Sequence, residues 1–291
     1  NKSSRNFWIY IEGYGAWSVT GASGKQKYEV FDKNKENTKL EAGIMWHKIT
    51  RESQNIGIKS EVTSFVPSNN KKVELMKVTI TNISNEGKKI TPTAAIPFYA
   101  RSADNVRDHK HVTSLLHRIE TTDYGVIVNP TLTFDERGHK KNTIVYGIVS
   151  AEDDGKKPIG FCPLVEDYIG EGGSFEAPET IIINKKFDVK SNEKFEGYEA
   201  IGAIRFNDII IEPGQSKTYI VAMAFGESKR DIESISNDVL KETDFDSLLE
   251  ETKLYWNNKI NISYKTKDSE FDNWMYWVNF QPMLRRIYGC S

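Results

Sequence analysis

The chain has 291 residues, 27% of them charged, and a formal net charge of −2. That balance gives no reason to expect nucleic acid or an anionic membrane as partner. No run of 18 or more apolar residues occurs, so no segment reads as a membrane span.

Residues 6 to 226 read as β. Phe7, Ile9 and Ile11 alternate with Trp8 and Tyr10, and an apolar set on each side predicts a strand buried on both faces. Val73, Leu75, Lys77, Thr79 and Thr81 alternate with Met76, Val78 and Ile80 in a clear period of two. Shorter β-rich runs follow at 44–49, 58–66, 90–98, 126–128, 143–149, 181–183 and 200–204. Between Ile209–Ile211 and Thr218–Ala224, the segment Glu212-Pro-Gly-Gln-Ser216 predicts a tight hairpin. Strands at this spacing, with no βαβ alternation, predict a mainly β fold: a large two-sheet antiparallel β-sandwich over 1–226.

After Phe225 the period changes to that of helices. Ile232, Ile235 and Val239 make one, and Phe245, Leu248, Leu249, Thr252, Tyr255 and Trp256 a second, opened by Thr243 or Asp244 as N-cap. A polar connector, 261–268, precedes a terminal helix on which Phe271, Trp274, Met275 and Val278 share one face, with Trp277 and Phe280 largely off it. A helix so apolar at a terminus predicts a further surface to pack on, so 227–291 is expected to link the sandwich to another domain.

Four segments could carry chemistry. Residues 101–118 hold Arg101, Asp104, Arg107, Asp108, His109, His111 and His117, and four of the five histidines fall in or near this segment. His109-x-His111 would set two imidazoles on one strand face, as in metal sites. No third ligand has diagnostic spacing, however, and the arginines add positive charge, so an interface loop held by Arg–Asp pairs is favoured and no metal is expected. In Phe134-Asp-Glu-Arg-Gly-His139 the acids are adjacent and would face opposite ways, which suits a salt-bridged turn better than a catalytic pair. Glu166–Ser174, with Glu171 among its glycines, lacks the lysine and the strand-turn-helix setting of a phosphate loop. Trp17, in a Gly-rich hairpin, is either a sugar-stacking platform or a core or interface residue, and the latter is the commoner outcome. Cys162 and Cys290 stand far apart and read as free thiols in a reducing, cytoplasmic setting.

Trp17-Ser18, the Arg101–Arg118 cluster, Tyr168-Ile-Gly-Glu-Gly-Gly-Ser174 and above all Trp277-Val-Asn-Phe-Gln-Pro-Met-Leu-Arg-Arg-Ile-Tyr-Gly-Cys-Ser291 resemble the N-terminal part of the family 94 glycoside phosphorylases, which act on cellobiose, cellodextrins, chitobiose or β-1,2-oligoglucans. The resemblance implies a galactose-mutarotase-like super-sandwich, linker helices and then an (α/α)6 barrel. It implies cleavage of a β-linked oligosaccharide with inversion: an Asp of the barrel protonates the leaving oxygen and inorganic phosphate, the co-substrate, attacks C1. No catalytic residue carries over, because those groups lie beyond the motif that contains Arg285, Arg286 and Tyr288. What it implies for this chain is a homodimer and a supporting role, with the Arg101–His117 segment and Gly170–Ser174 turned toward the barrel or the partner subunit. The rival readings are a free-standing carbohydrate-binding sandwich and an aldose-epimerase-like enzyme.

Overall fold

The computed structural model describes residues 5–32, 35–100, 114–135 and 138–287, the side chains of 133–135, 139 and 285–287 excepted. Its strands are β1 (Asn6–Ile11), β2 (Gly15–Ser18), β3 (Asn37–Gly43), β4 (Trp46–Ser53), β5 (Ile58–Phe65), β6 (Val73–Asn82), β7 (Lys88–Pro97), β8 (His117–Thr121) and β9 (Gly125–Pro130). They continue with β10 (Leu132–Asp135), β11 (Gly138–Lys141), β12 (Val145–Glu152), β13 (Gly160–Leu164), β14 (Lys194–Glu196), β15 (Ala200–Arg205), β16 (Ile209–Ile211) and β17 (Ser216–Gly226). A six-stranded sheet runs β13-β15-β7-β1-β2 with β16 also on β7, and a nine-stranded sheet runs β14-β8-β9-β12-β17-β6-β5-β4-β3. Every pairing in both sheets is antiparallel, which is the predicted sandwich. The ribbon β10–β11 stands apart from both.

Alternation along each strand divides its side chains between two environments. Phe7, Ile9 and Ile11 enter the core between the sheets with Val78, Ile80, Ile204 and Tyr219. Trp8, on the opposite face of β1, joins Cys162, Tyr168, Ile181 and Phe187 in a second cluster outside the six-stranded sheet. There the sheet is covered by the short helices α2 (Val165–Ile169) and α3 (Glu179–Ile182). On the outer face of the large sheet, α4 (Lys229–Val239) and α5 (Glu242–Asn257) bury Ile232, Val239, Phe245 and Leu249 against Leu75, Ile127 and Ile220.

Three local expectations change. The Glu212–Ser216 turn is not a hairpin: β16 pairs with β7 and β17 with β6, so the turn carries the chain from one sheet to the other. Asn82 holds that corner, its side chain donating to Ile211 O at 2.7 Å and its backbone oxygen accepting from Gly214 N–H at 2.9 Å. A Pro-Gly turn reads the same whether the flanking strands pair with each other or diverge. The 181–183 run is helix rather than strand, because Pro178 O accepts from the N–H groups of both Ile181 and Ile182. Finally, α5 starts at Glu242 with Lys241 as N-cap, two or three residues earlier than Thr243 or Asp244 would set it.

At the start of α4, Ser228 and Asp231 form a capping box. The Glu227 N–H, then the Ser228 hydroxyl and N–H, donate to Asp231 and hold its carboxyl below the ordinary range. A depressed folded-state pKa adds stability above the unfolded value of about 3.9 and loses it as pH falls through the folded value. Asp231→Asn is therefore expected to lower Tm at pH 7 and to approach the wild-type curve in strong acid, as thermal melts across pH would register. A gap constant with pH would exclude the cap as its cause.

Candidate functional site

The predicted candidates divide into those the structure places and those it does not describe. Arg101, Asp104, Arg107, Asp108, His109 and His111 lie outside the described residues, as does Tyr288. Arg285 and Arg286 sit in the last turn of α6 (Ser269–Ile287).

Both described ends of the 101–113 segment are tied to one stretch, Tyr198–Ala200, at the entry to β15. On one side, Phe98 N–H donates to Ala200 O at 3.0 Å. On the other, His117, buried at the start of β8, has Nδ1 at 3.2 Å from Tyr198 O, and Gly197 N–H donates to His117 O at 3.1 Å. Between them, Val165 N–H donates to Glu199 O at 2.9 Å and starts α2, which leads into the glycine loop. The loop therefore follows directly from the same stretch: α2 ends at Gly170 with φ +73, and Glu171 and Ser174 are exposed. Tyr99, Leu115 and Tyr198 are exposed around this end of the sandwich. One stretch, Tyr198–Ala200, thus holds both described ends of the His/Arg segment and the start of the helix that leads into the glycine loop, a link their separation of more than fifty residues in sequence conceals.

Trp17 is corrected. It is 2% exposed and belongs to the inter-sheet core, so its ring offers no face to a sugar. Instead its indole N–H donates to Glu36 Oε1 at 2.6 Å. Gln26, on α1 (Gly24–Tyr28), donates to the same oxygen at 2.8 Å. Ser23 caps α1 and donates to Gln26 Oε1 at 2.7 Å, while Ser18 N–H donates to that oxygen at 3.0 Å. The Ser-x-x-Gln spacing of a capping box was the one signal of this arrangement in the sequence, and Glu36 itself carried none.

The stripe predicted on the terminal helix is present but uncovered. Phe271 and Trp274 are 41% and 61% exposed, and the helix instead seats Phe280 edge-on against Trp256 of α5, ring centroids 5.4 Å apart. Cys162 is a buried free thiol that burial pushes up to about 12, so it holds no thiolate at neutral pH. Cys290 lies outside the described residues. Among the described residues no three His, Cys, Asp or Glu side chains are grouped to hold a metal, and no helix is long and apolar enough to cross a membrane.

Several solved structures are similar in fold. A bacterial glucoamylase complexed with acarbose has a TM-score of 0.49 at 11% identity, over 87% of this chain and 31% of that one. A putative kojibiose phosphorylase from the human microbiome gives 0.48 at 10%, over 96% and 31%. A GalM/aldose epimerase homologue from C. elegans gives 0.35 at 13%, over 67% and 69%. The chain thus spans about a third of the length of the first and second of these. No curated protein matches the chain. Residues 12–242 match the glycosyl hydrolase 94 supersandwich domain, and the chain belongs to that family.

Proposed function

We propose that the chain is the supersandwich of an inverting β-glucoside phosphorylase, which converts a β-linked di- or oligosaccharide and phosphate into a sugar 1-phosphate and a shortened sugar. The observation that carries the reading is the family match over 12–242. In this reading the sandwich shapes the substrate cleft and a homodimer in the cytoplasm, and an (α/α)6 barrel supplies the general acid. Phosphate is itself the nucleophile, so the reaction needs an acid for the leaving oxygen but no base to activate water. The uncovered Phe271 and Trp274 suit a helix that packs on other helices. In this reading the Tyr198–Ala200 stretch, which holds the ends of the 101–113 segment and the start of α2, belongs to the part of the sandwich that faces the cleft.

The test is phosphorolysis by the full-length protein. Incubated with phosphate and cellobiose, sophorose or laminaribiose, it is expected to release α-glucose 1-phosphate from at least one, followed by NMR of the anomeric proton. The 291-residue chain by itself is expected to release none. Free glucose without sugar phosphate, or the β-anomer of the phosphate, would sink the reading.

A further inference from the structure

Beside Trp17 lies a cavity that the proposed function does not use. It has a volume of about 380 Å³, within the range of roughly 300–1,000 Å³ typical of small-ligand sites. It lies between α1 with the 3-10 turn Glu29–Phe31 on one side and, on the other, the start of edge strand β3 with Arg51 of its neighbour β4. Its polar lining includes Glu36, Asn37, Thr38 and Arg51.

The hydrogen-bond inventory of this lining is incomplete. Glu36 Oε1 is occupied by Trp17 and Gln26, whereas Oε2 receives, among the described residues, a single 3.3 Å contact from Arg51. A carboxylate has about four lone-pair sites, so Oε2 retains acceptor capacity. Arg51 has five N–H donors, and its long contacts to Glu36 and to Thr38 at 3.4 Å leave its buried Nε without a partner among the described residues. A fixed acceptor and an under-used donor thus stand side by side in a concave site, which is the pattern that adjacent sugar hydroxyls satisfy, each both giving and taking a hydrogen bond. The lining charges, Glu29 and Glu36 against Lys35 and Arg51, cancel, so the cavity favours a neutral ligand over an anion. Tyr28 and Phe31, bordering the lining residues Glu29 and Val30, are 87% and 95% exposed. Rings so open beside a polar cavity can stack on the apolar face of a pyranose.

We infer that this cavity is a carbohydrate-binding site that takes a neutral oligosaccharide with Glu36 and Arg51 on its hydroxyls and Phe31 stacked on a ring. Trp17 is then a positioning residue beneath the site, holding the Glu36 carboxylate from within the core. The choice of β-linked glucose probes rests on the proposed function; the site itself does not.

Titration calorimetry of the 291-residue chain with cellotetraose, sophorotetraose, laminaritetraose and, for comparison, maltotetraose tests the inference. At least one should bind, and Glu36→Gln and Phe31→Ala should each weaken it about tenfold or more. Phe31 is nearly fully exposed, so Phe31→Ala leaves Tm unchanged and separates binding from folding. No binding of any of the four, or wild-type affinity in either variant, overturns the site. Binding of maltotetraose alone sustains it while counting against the β-glucoside reading. Phosphorolysis by the full-length protein is read independently of both.

Discussion

Replacing Phe7 by alanine is expected to remove about 4 kcal/mol of stability, the middle of the range for deleting a buried aromatic. Phe7 is 0% exposed on a strand of the six-stranded sheet. Its ring reaches across to Tyr219 on the nine-stranded sheet, centroids 5.2 Å apart, and lies 6.4 Å from Phe206. Phe206 and Tyr219 are themselves 4.7 Å apart, so the three rings form one closed contact between the two layers. Truncation therefore loses the transfer of the ring from water and also leaves a hole between two sheets whose hydrogen bonding prevents collapse onto it. Phe7→Leu refills part of that volume and should cost less than half as much. Chemical denaturation of the two variants checks both statements. A loss below about 1 kcal/mol for Phe7→Ala would mean that the layers can close around the gap, contrary to the packing argument.

The same strand shows why some of this fold could be read before any coordinates. β1 is buried on both sides, which favours apolar residues at successive positions, so Phe7-Trp8-Ile9-Tyr10-Ile11 announced a double-sided strand. Where a strand buries nothing, the signal disappears. β3, Asn37-Thr-Lys-Leu-Glu-Ala-Gly43, lies at the edge of the large sheet with most of its side chains in solvent, and it has no alternation to find. β13 was hidden for another reason: Pro163 interrupts it, and its register shifts between Cys162 and Leu164. The corner at Glu212–Ser216 failed because turn chemistry is local while sheet membership is decided by distant Asn82, β6 and β7.

The functional residues were legible to a smaller degree. Tryptophan in a Gly-rich hairpin drew attention to Trp17, but an indole is both a flat ring and an N–H donor. Only burial and the 2.6 Å bond to Glu36 select the second role. Glu36 sits in a run of lysine, asparagine and glutamate that has no motif, so nothing in its neighbours distinguishes it from a solvated loop acid. The terminal helix gave the converse result. Its i, i+3, i+4, i+7 stripe was plain, yet intramolecular packing uses Phe280, from off the stripe, and leaves Trp274 open. Periodicity reports that a face is apolar; it does not say which surface covers it.

A second large loss is expected at Gly125, where a single added methyl meets backbone. Gly125 opens β9 opposite Val149 of β12. A Cβ built there would lie 2.0 Å from Ile148 O and 2.8 Å from Val149 Cα, both far inside van der Waals contact. Side chains can rotate away from such an intrusion, but these atoms belong to an interior strand of a nine-stranded sheet. On its other side β12 is paired with β17 along its whole length, from Val145 with Gly226 to Glu152 with Tyr219, and cannot retreat. β9 must then move, and two contacts resist it: Thr122 N–H donates to Gly125 O at 2.7 Å, and Ser150 N–H donates to Tyr124 O at 2.8 Å. Relieving the clash breaks one or both, leaving buried backbone groups unpaired in addition to the overpacking strain. Gly125→Ala should accordingly cost about 3 kcal/mol or more, beyond the range of ordinary overpacking. Hydrogen exchange places the damage as well as measuring it, since the Ser150 amide should lose protection before the β12–β17 ladder does. A variant with wild-type Tm and a fully protected Ser150 amide would show that the two strands are not held this close.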